Sequence, residues 1–150
     1  TNGSLAMSGN VAEQDAEIVA ALKEAGARRV LPLKVSGPFH SPMMRPAGEE
    51  LAKVFARVSM NPLKIPYVAN INAEVITDCG RIEGLLVEQV SGSVRWQQSV
   101  ETMIREGVDT FVEIGPGKTL TGFLRKIDKN VKAYHIGSWE EAVQVCEELK

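Results

Sequence analysis

The sequence has little of what most catalytic chemistry is built from. There are two cysteines and two histidines in 150 residues. Cys79 and Cys146 lie far apart and fit no metal or redox spacing, so two reduced thiols are expected. His40 and His135 stand in no ligand-spaced cluster, which leaves no metal site in prospect. No serine has glycine at both minus two and plus two, so a nucleophile elbow of the G-x-S-x-G kind is missing from these residues. Cys79 follows Asp78 and has no neighbouring base, which makes it a poor nucleophile. No apolar run is long enough to span a membrane. No signal peptide is expected at the polar opening Thr1-Asn2-Gly3-Ser4, and the absence of an initiator methionine fits processing or a piece of a longer chain. Repeats and low-complexity segments are missing too.

Charge of one sign is also scarce. Seventeen Lys and Arg against nineteen Asp and Glu give a net charge of −2, so no nucleic-acid partner is expected. Hydrophobic residues at 44% and charged residues at 24% suit one ordinary globular domain with a real core. With no membrane segment and reduced thiols, the expected location is cytoplasmic.

What is present reads as alternating strands and helices, an α/β pattern. Ser4 to Ser8 is a weak strand. Val11 to Ala25 has Ile18, Leu22 and Ala25 on one helical face, with Gly26 suited to the C-terminal cap. Val30 to Val35 is β-like but holds Pro32, which argues for an edge or bent strand. A helix is expected from about Pro46 to Val58, burying Leu51, Val54, Phe55 and Val58. Ile65 to Ile71 is the next strand, with Asn70 and Asn72 near its end, placed either to face a ligand or to turn the chain. Helices follow over Arg81–Val90, with Ile82, Leu85 and Leu86 inward, and over Gln97–Glu106, with Val100, Met103 and Ile104 inward. A buried strand at Thr110–Ile114, a helix to about Ile127, a strand at Val131–Ile136 and a helix at Trp139–Leu149 complete the chain. These lengths predict parallel pairing with crossover helices.

Three features carry candidate chemistry. His40 sits in Val35-Ser36-Gly37-Pro38-Phe39-His40-Ser41-Pro42, a proline-stiffened turn ahead of a helix. An imidazole there can take and return a proton near neutral pH, or can be an ordinary loop histidine. Gln89 continues the apolar face of its helix by one turn. It can hold a histidine through a carbonyl, or sit at a helix boundary. Gly115-Pro116-Gly117-Lys118-Thr119 feeds a helix, but position 112 is valine rather than the first glycine of a phosphate loop, and position 120 is leucine rather than the third glycine of a dinucleotide fingerprint. A tight packing turn or a generic anion site remains. His135, on the last strand, reads as structural.

Taken together, these stretches resemble the malonyl-CoA:acyl carrier protein transacylase family. The resemblance rests on Gly26–Arg29 through Leu33–Ser41, on Val68-Ala69-Asn70-Ile71-Asn72, on Val94-Arg95-Trp96 with Ser99-Val100, and on Glu113 to Leu120, in the family's order and spacing. It covers nearly all of the chain from about residue 9. It implies the C-terminal part of an α/β-hydrolase-like acyltransferase core (residues 43–150) with part of a ferredoxin-like small subdomain (residues 1–42). It implies transfer of malonyl from coenzyme A to the phosphopantetheine thiol of an acyl carrier protein in fatty-acid biosynthesis. No cofactor is implied beyond the coenzyme A thioester itself. The family's base falls on His40, and the glutamine whose backbone carbonyl orients it falls on Gln89. Phe39, before the histidine, falls at the residue that helps set acyl size and suits a compact malonyl group. Arg28, Arg29 and Lys34 are candidate contacts for the acidic carrier.

The family's nucleophilic serine, oxyanion hole and malonyl-binding arginine would all precede these residues, so the chain alone is expected to be inactive. Its strands are expected to expose an edge that invites the missing half, or self-association. The competing expectations are a non-catalytic module that binds a carrier or an anion, and a structural remnant.

Overall fold

The computed structural model describes residues 17–28 and 37–150. The expected strands at Ser4–Ser8 and Val30–Val35, together with Arg29 and Lys34, lie outside the described residues. Among the described residues six α-helices and four short strands are seen in the order α1 (Glu17–Glu24), α2 (Arg45–Phe55), β1 (Tyr67–Val68), β2 (Val75–Ile76), α3 (Ile82–Ser91), α4 (Trp96–Arg105), β3 (Thr110–Ile114), α5 (Thr119–Ile127), β4 (Lys132–Ile136) and α6 (Trp139–Glu148). Helix and strand are mixed as an α/β chain requires. Gly26, after α1, has φ +87, the left-handed geometry that ends a helix at a glycine.

The second half follows the expected order of elements, but the strand at Thr110–Ile114 is not the buried one expected: Val112 and Ile114 are exposed, because among the described residues β4 is the only strand beside it. β3 and β4 pair in parallel, with Thr110 opposite Lys132 and Ile114 opposite Ile136, and α5 forms the crossover. The expected strand at Ile65–Ile71 is different. Only Tyr67 and Val68 are extended, and they pair antiparallel with Val75 and Ile76 as a small hairpin. The cause is local. Asn72 Oδ1 accepts from Glu74 N at 3.1 Å, and Ala73 adopts φ +61, so the chain reverses before it can run on. The turn-forming alternative for Asn72 is therefore the one seen. The Asn70 carbonyl accepts from Arg95 N at 2.8 Å, which pins the hairpin to the start of α4.

The best-buried cluster joins this hairpin to α4. Ile76 and Val100 are fully enclosed, and Ala69, Ala73, Ser99 and Thr102 are buried around them. Thr102 Oγ1 donates to the Ala73 carbonyl at 2.9 Å, so a polar group inside the cluster is satisfied. Val100 is the expected core residue of α4; Met103 and Ile104 are half-buried.

The expected stripe of α2 is displaced, while that of α3 is kept. In α2 the only buried residue is Gly48, while Val54 and, just beyond the helix, Val58 are exposed. A Cβ at position 48 would lie 3.2 Å from the Val87 carbonyl, so α2 approaches α3 backbone to backbone at its glycine. Helix α3 turns Val87 and Val90 toward that contact, and Leu85, Leu86 and Gln89 line a cavity of about 120 Å³ against Tyr67–Ile71. The α2 displacement originates at Gly48: glycine allows a closer approach than the apolar spacing alone would select. No described helix is long and apolar enough to cross a membrane.

Candidate functional site

The site is built where α2 begins and α3 ends. Its frame is the turn Gly37–Ser41. A Cβ at Gly37 would come within 3.1 Å of the Phe39 ring, so the ring lies over the glycine. His40 has φ +59, a left-handed conformation that a non-glycine residue adopts only when its surroundings impose it. Pro42 then opens a single turn of 3-10 helix, Pro42–Met44, that runs into α2. Met44 N donates to the Ser41 carbonyl at 2.9 Å, which ties the turn to the helix.

This geometry brings the imidazole to the C-terminal end of α3. His40 Nδ1 lies 2.9 Å from the Gln89 carbonyl oxygen. A carbonyl can only accept, so the bond places the proton on Nδ1 and leaves Nε2 with its lone pair. The carbonyl is available because the helix stops there. Gly92 N donates to the Glu88 carbonyl at 2.9 Å, the last bond of α3, and the Gln89 carbonyl is the next acceptor in line, without a helical donor. The Gln89 side chain lies alongside. Its Nε2 is 3.4 Å from His40 Nδ1, an approach between two donors in this tautomer, and it donates instead to the Gly92 carbonyl at 3.2 Å. Among the described residues no group bonds His40 Nε2, and His40 itself is exposed. The arrangement therefore holds an imidazole by one nitrogen and offers the other to a proton.

The remaining candidate residues are placed as follows. Phe39 is adjacent to His40 and exposed. Arg28 is exposed shortly after Gly26, in the segment that follows α1. Sequence reasoning did not single out Ser41, whose hydroxyl donates to the Pro38 carbonyl at 2.6 Å. The signal was a serine three residues after a proline in a tight turn.

The glycine turn after β3 meets a carboxylate from its own chain. Glu113 fills the N-terminus of α5 from inside the chain: its carboxylate accepts from Leu120 N at 3.1 Å, Thr121 N at 2.8 Å and Thr121 Oγ1 at 2.6 Å. These bonds, the Thr121 hydroxyl first, hold its carboxyl below the usual carboxylate range. Gly115 (φ +137) and Gly117 (φ +88) supply the backbone the turn needs. Two of the N–H donors an outside anion would use, those of Leu120 and Thr121, are already taken. Among the described residues no cluster of His, Cys, Asp and Glu could hold a metal ion.

The proteins that resemble the chain are acyltransferases. More narrowly, the chain is similar to one part of the malonyl CoA-acyl carrier protein transacylases. The Bacillus subtilis (strain 168) transacylase is 40% identical over 128 residues, 85% of this chain and 40% of that protein. The Staphylococcus aureus (strain COL) transacylase is 40% identical over 139 residues, 93% of this chain and 45% of that protein. Among solved structures, the transacylase from Streptococcus pneumoniae superposes with a TM-score of 0.81 at 42% identity, over 87% of this chain and 42% of that one. A malonyl-transacylase solved in complex with its type II PKS acyl-carrier protein gives 0.80 at 34% identity, over 86% and 42%. No protein-family model matches the chain. The chain thus spans about 40–45% of the length of the curated relatives it matches.

Proposed function

We propose that these residues are the histidine-bearing segment of a malonyl transferase of fatty-acid biosynthesis. The observation that carries this is the His40–Gln89 bond, with Nδ1 tied to a main-chain carbonyl at 2.9 Å and Nε2 open. In this reading His40 Nε2 takes the proton of a serine hydroxyl supplied from outside the 150 residues as the serine attacks the malonyl thioester. It then returns a proton to the departing coenzyme A thiolate. In the second half-reaction it takes the proton of the carrier's phosphopantetheine thiol and gives it back to the serine. The Gln89 carbonyl keeps the ring in one tautomer and orientation throughout. No cofactor is needed beyond the coenzyme A thioester that is the substrate, and the expected setting is the cytoplasm.

Residues 43–150 are read as the C-terminal part of an α/β-hydrolase-like core, and residues 1–42 as part of a ferredoxin-like small subdomain, with His40 at the junction. Phe39 is read as the residue that limits acyl size, since it directly precedes His40 and its ring is exposed over Gly37. Replacing it with serine in a complete enzyme is expected to raise methylmalonyl transfer relative to malonyl, and unchanged relative rates would refute the role. Arg28, Arg29 and Lys34 are read as weak contacts for the acidic carrier, whose binding should then weaken with salt. The exposed apolar ends of the parallel pair, Ile114 and the neighbouring Trp139, fit a surface covered by the rest of such an enzyme or by self-association. The non-catalytic anion-binding alternative loses its best support, because Glu113 occupies the helix terminus it would use.

The test is a chimera. The 150 residues replace the matching segment of the Bacillus subtilis relative, and malonyl transfer from malonyl-CoA to holo-carrier protein is measured beside the isolated chain. The chimera is expected to transfer malonyl and the isolated chain is not. An inactive but folded chimera overturns the function, and an active isolated chain overturns the need for an outside nucleophile.

A further inference from the structure

We propose that Ser41 is a positioning residue for His40, acting by closing the turn that holds the imidazole against α3. The proposal rests on the reading of His40 as the base and adds to it the group that keeps that base in place. His40 occupies a backbone region disfavoured for side chains with a Cβ, so something must over-determine it. The Gln89 carbonyl holds the far end of the side chain but not the backbone. The near end is held by Ser41, whose hydroxyl reaches back across His40 to the Pro38 carbonyl at 2.6 Å. Among the described residues no other side-chain hydrogen bond spans His40. The same residue's carbonyl accepts from Met44 N at 2.9 Å, so Ser41 joins the turn behind it to the helix ahead of it. Pro38 contributes a fixed φ but no N–H, which leaves its carbonyl as its only backbone hydrogen-bonding group.

If the hydroxyl is removed, the Pro38 carbonyl loses its side-chain donor and the left-handed His40 backbone loses one of its restraints. The side chain then reaches Gln89 for a smaller fraction of the time, and the tautomer is no longer fixed. The Ser41 role is therefore readable in the ring itself, without any catalytic assay.

The experiment is nitrogen-15 NMR of the histidine side chains in the 150-residue chain, at a pH where the rings are neutral. The unsubstituted chain is expected to show His40 with the proton on Nδ1. Ser41→Ala is expected to lower the Nδ1–H to Nε2–H ratio by roughly fivefold, the factor one ordinary hydrogen bond carries. Ser41→Thr, which keeps a hydroxyl on the same carbon, is expected to restore it. The His135 signals and the amides of Thr110–Ile114 should stay in place in all three, marking an intact fold. If Ser41→Ala does not fold, Ser41→Cys gives the graded version, a smaller fall from a weaker donor. An unchanged ratio in Ser41→Ala or, failing that, in Ser41→Cys overturns the Ser41 role and leaves the base intact. A His40 without the Nδ1 proton in the unsubstituted chain overturns both.

Discussion

The two histidines are held by the same kind of bond in opposite senses. His40 gives its Nδ1 proton to the Gln89 carbonyl and leaves Nε2 open. His135 gives its Nε2 proton to the Gly115 carbonyl, also at 2.9 Å, and turns Nδ1 inward. His135 stands on β4 with its side chain only 10% exposed. Its Nδ1 is buried without a hydrogen bond and lies 3.5 Å from a Glu141 oxygen, which it can pair with only as an imidazolium. That oxygen already accepts from Gly137 N at 2.6 Å, the bond that chiefly holds the Glu141 carboxyl below the usual range. One ring thus has a free nitrogen facing outward, and the other is enclosed between two turns. A carbonyl partner does not make a histidine a base. The nitrogen left over, and what it can reach, decide that.

The largest expected consequence separates them by activity. In the chimeric enzyme, His40→Asn keeps a residue type that tolerates the left-handed backbone and removes the proton acceptor. Malonyl transfer should fall by about 10²–10⁴-fold, the usual contribution of a general base, while stability falls by about 1 kcal/mol, the one hydrogen bond lost to the Gln89 carbonyl. Steady-state rates beside urea unfolding of the same sample check both halves. A variant that keeps its activity removes His40 from the mechanism.

The converse substitution should act on stability. His135→Ala leaves the Gly115 carbonyl without its donor inside the β3–β4 region and should cost about 1–3 kcal/mol. The urea midpoint of the 150-residue chain reports it, and the His40 tautomer should not move. If His135→Ala abolished transfer while leaving the midpoint alone, the contrast between the two rings would collapse.

Both rings were visible in the sequence, but only one partner was. Gln89 stood out because a glutamine continued an apolar helical face, and its carbonyl was among the ways it could hold a histidine. The Gly115 partner of His135 did not stand out, since a backbone carbonyl carries no residue-type signal. The parallel strands β3 and β4 were legible because TFVEI and VKAYHI are short runs holding β-branched and aromatic residues, each ending at a glycine, Gly115 and Gly137. The hairpin at Tyr67–Ile76 was not, because an Asn72 turn and a left-handed Ala73 overrode the β propensity of the residues around them. The stripe of α2 was misplaced for a different reason: Gly48 lets two backbones meet where hydrophobic spacing expects side chains.

A smaller effect should appear with acid, and only at the His135 end. Glu113 has its carboxyl lowered in the folded chain, so its bonds to Leu120 and Thr121 stabilise the fold fully above the unfolded value of about 4.3. That contribution is lost as pH falls through the lower folded value. Below about pH 4.3, amide exchange at Leu120 and Thr121 should therefore rise before exchange in the Ile76–Val100 cluster does. Glu113→Gln should show the faster exchange already at neutral pH and little further change on acidification. Equal exchange in the two proteins at pH 7 would mean the carboxylate does not hold the turn.

The smallest effect tests whether the His40 acceptor is backbone. Gln89→Ala removes the side-chain bond to the Gly92 carbonyl and keeps the main-chain carbonyl at the end of α3. The loss should be one ordinary hydrogen bond, about 1 kcal/mol, or roughly a fivefold drop in transfer by the chimera. The Nδ1–H tautomer of His40 should persist. A loss as large as that of His40→Asn would mean that the side chain holds the ring. The resemblance between the two histidines would then be superficial, with one fixed by an amide side chain and the other by a strand-end carbonyl. A small loss with the tautomer kept leaves α3's own unsatisfied C-terminal carbonyl as the element that orients the base.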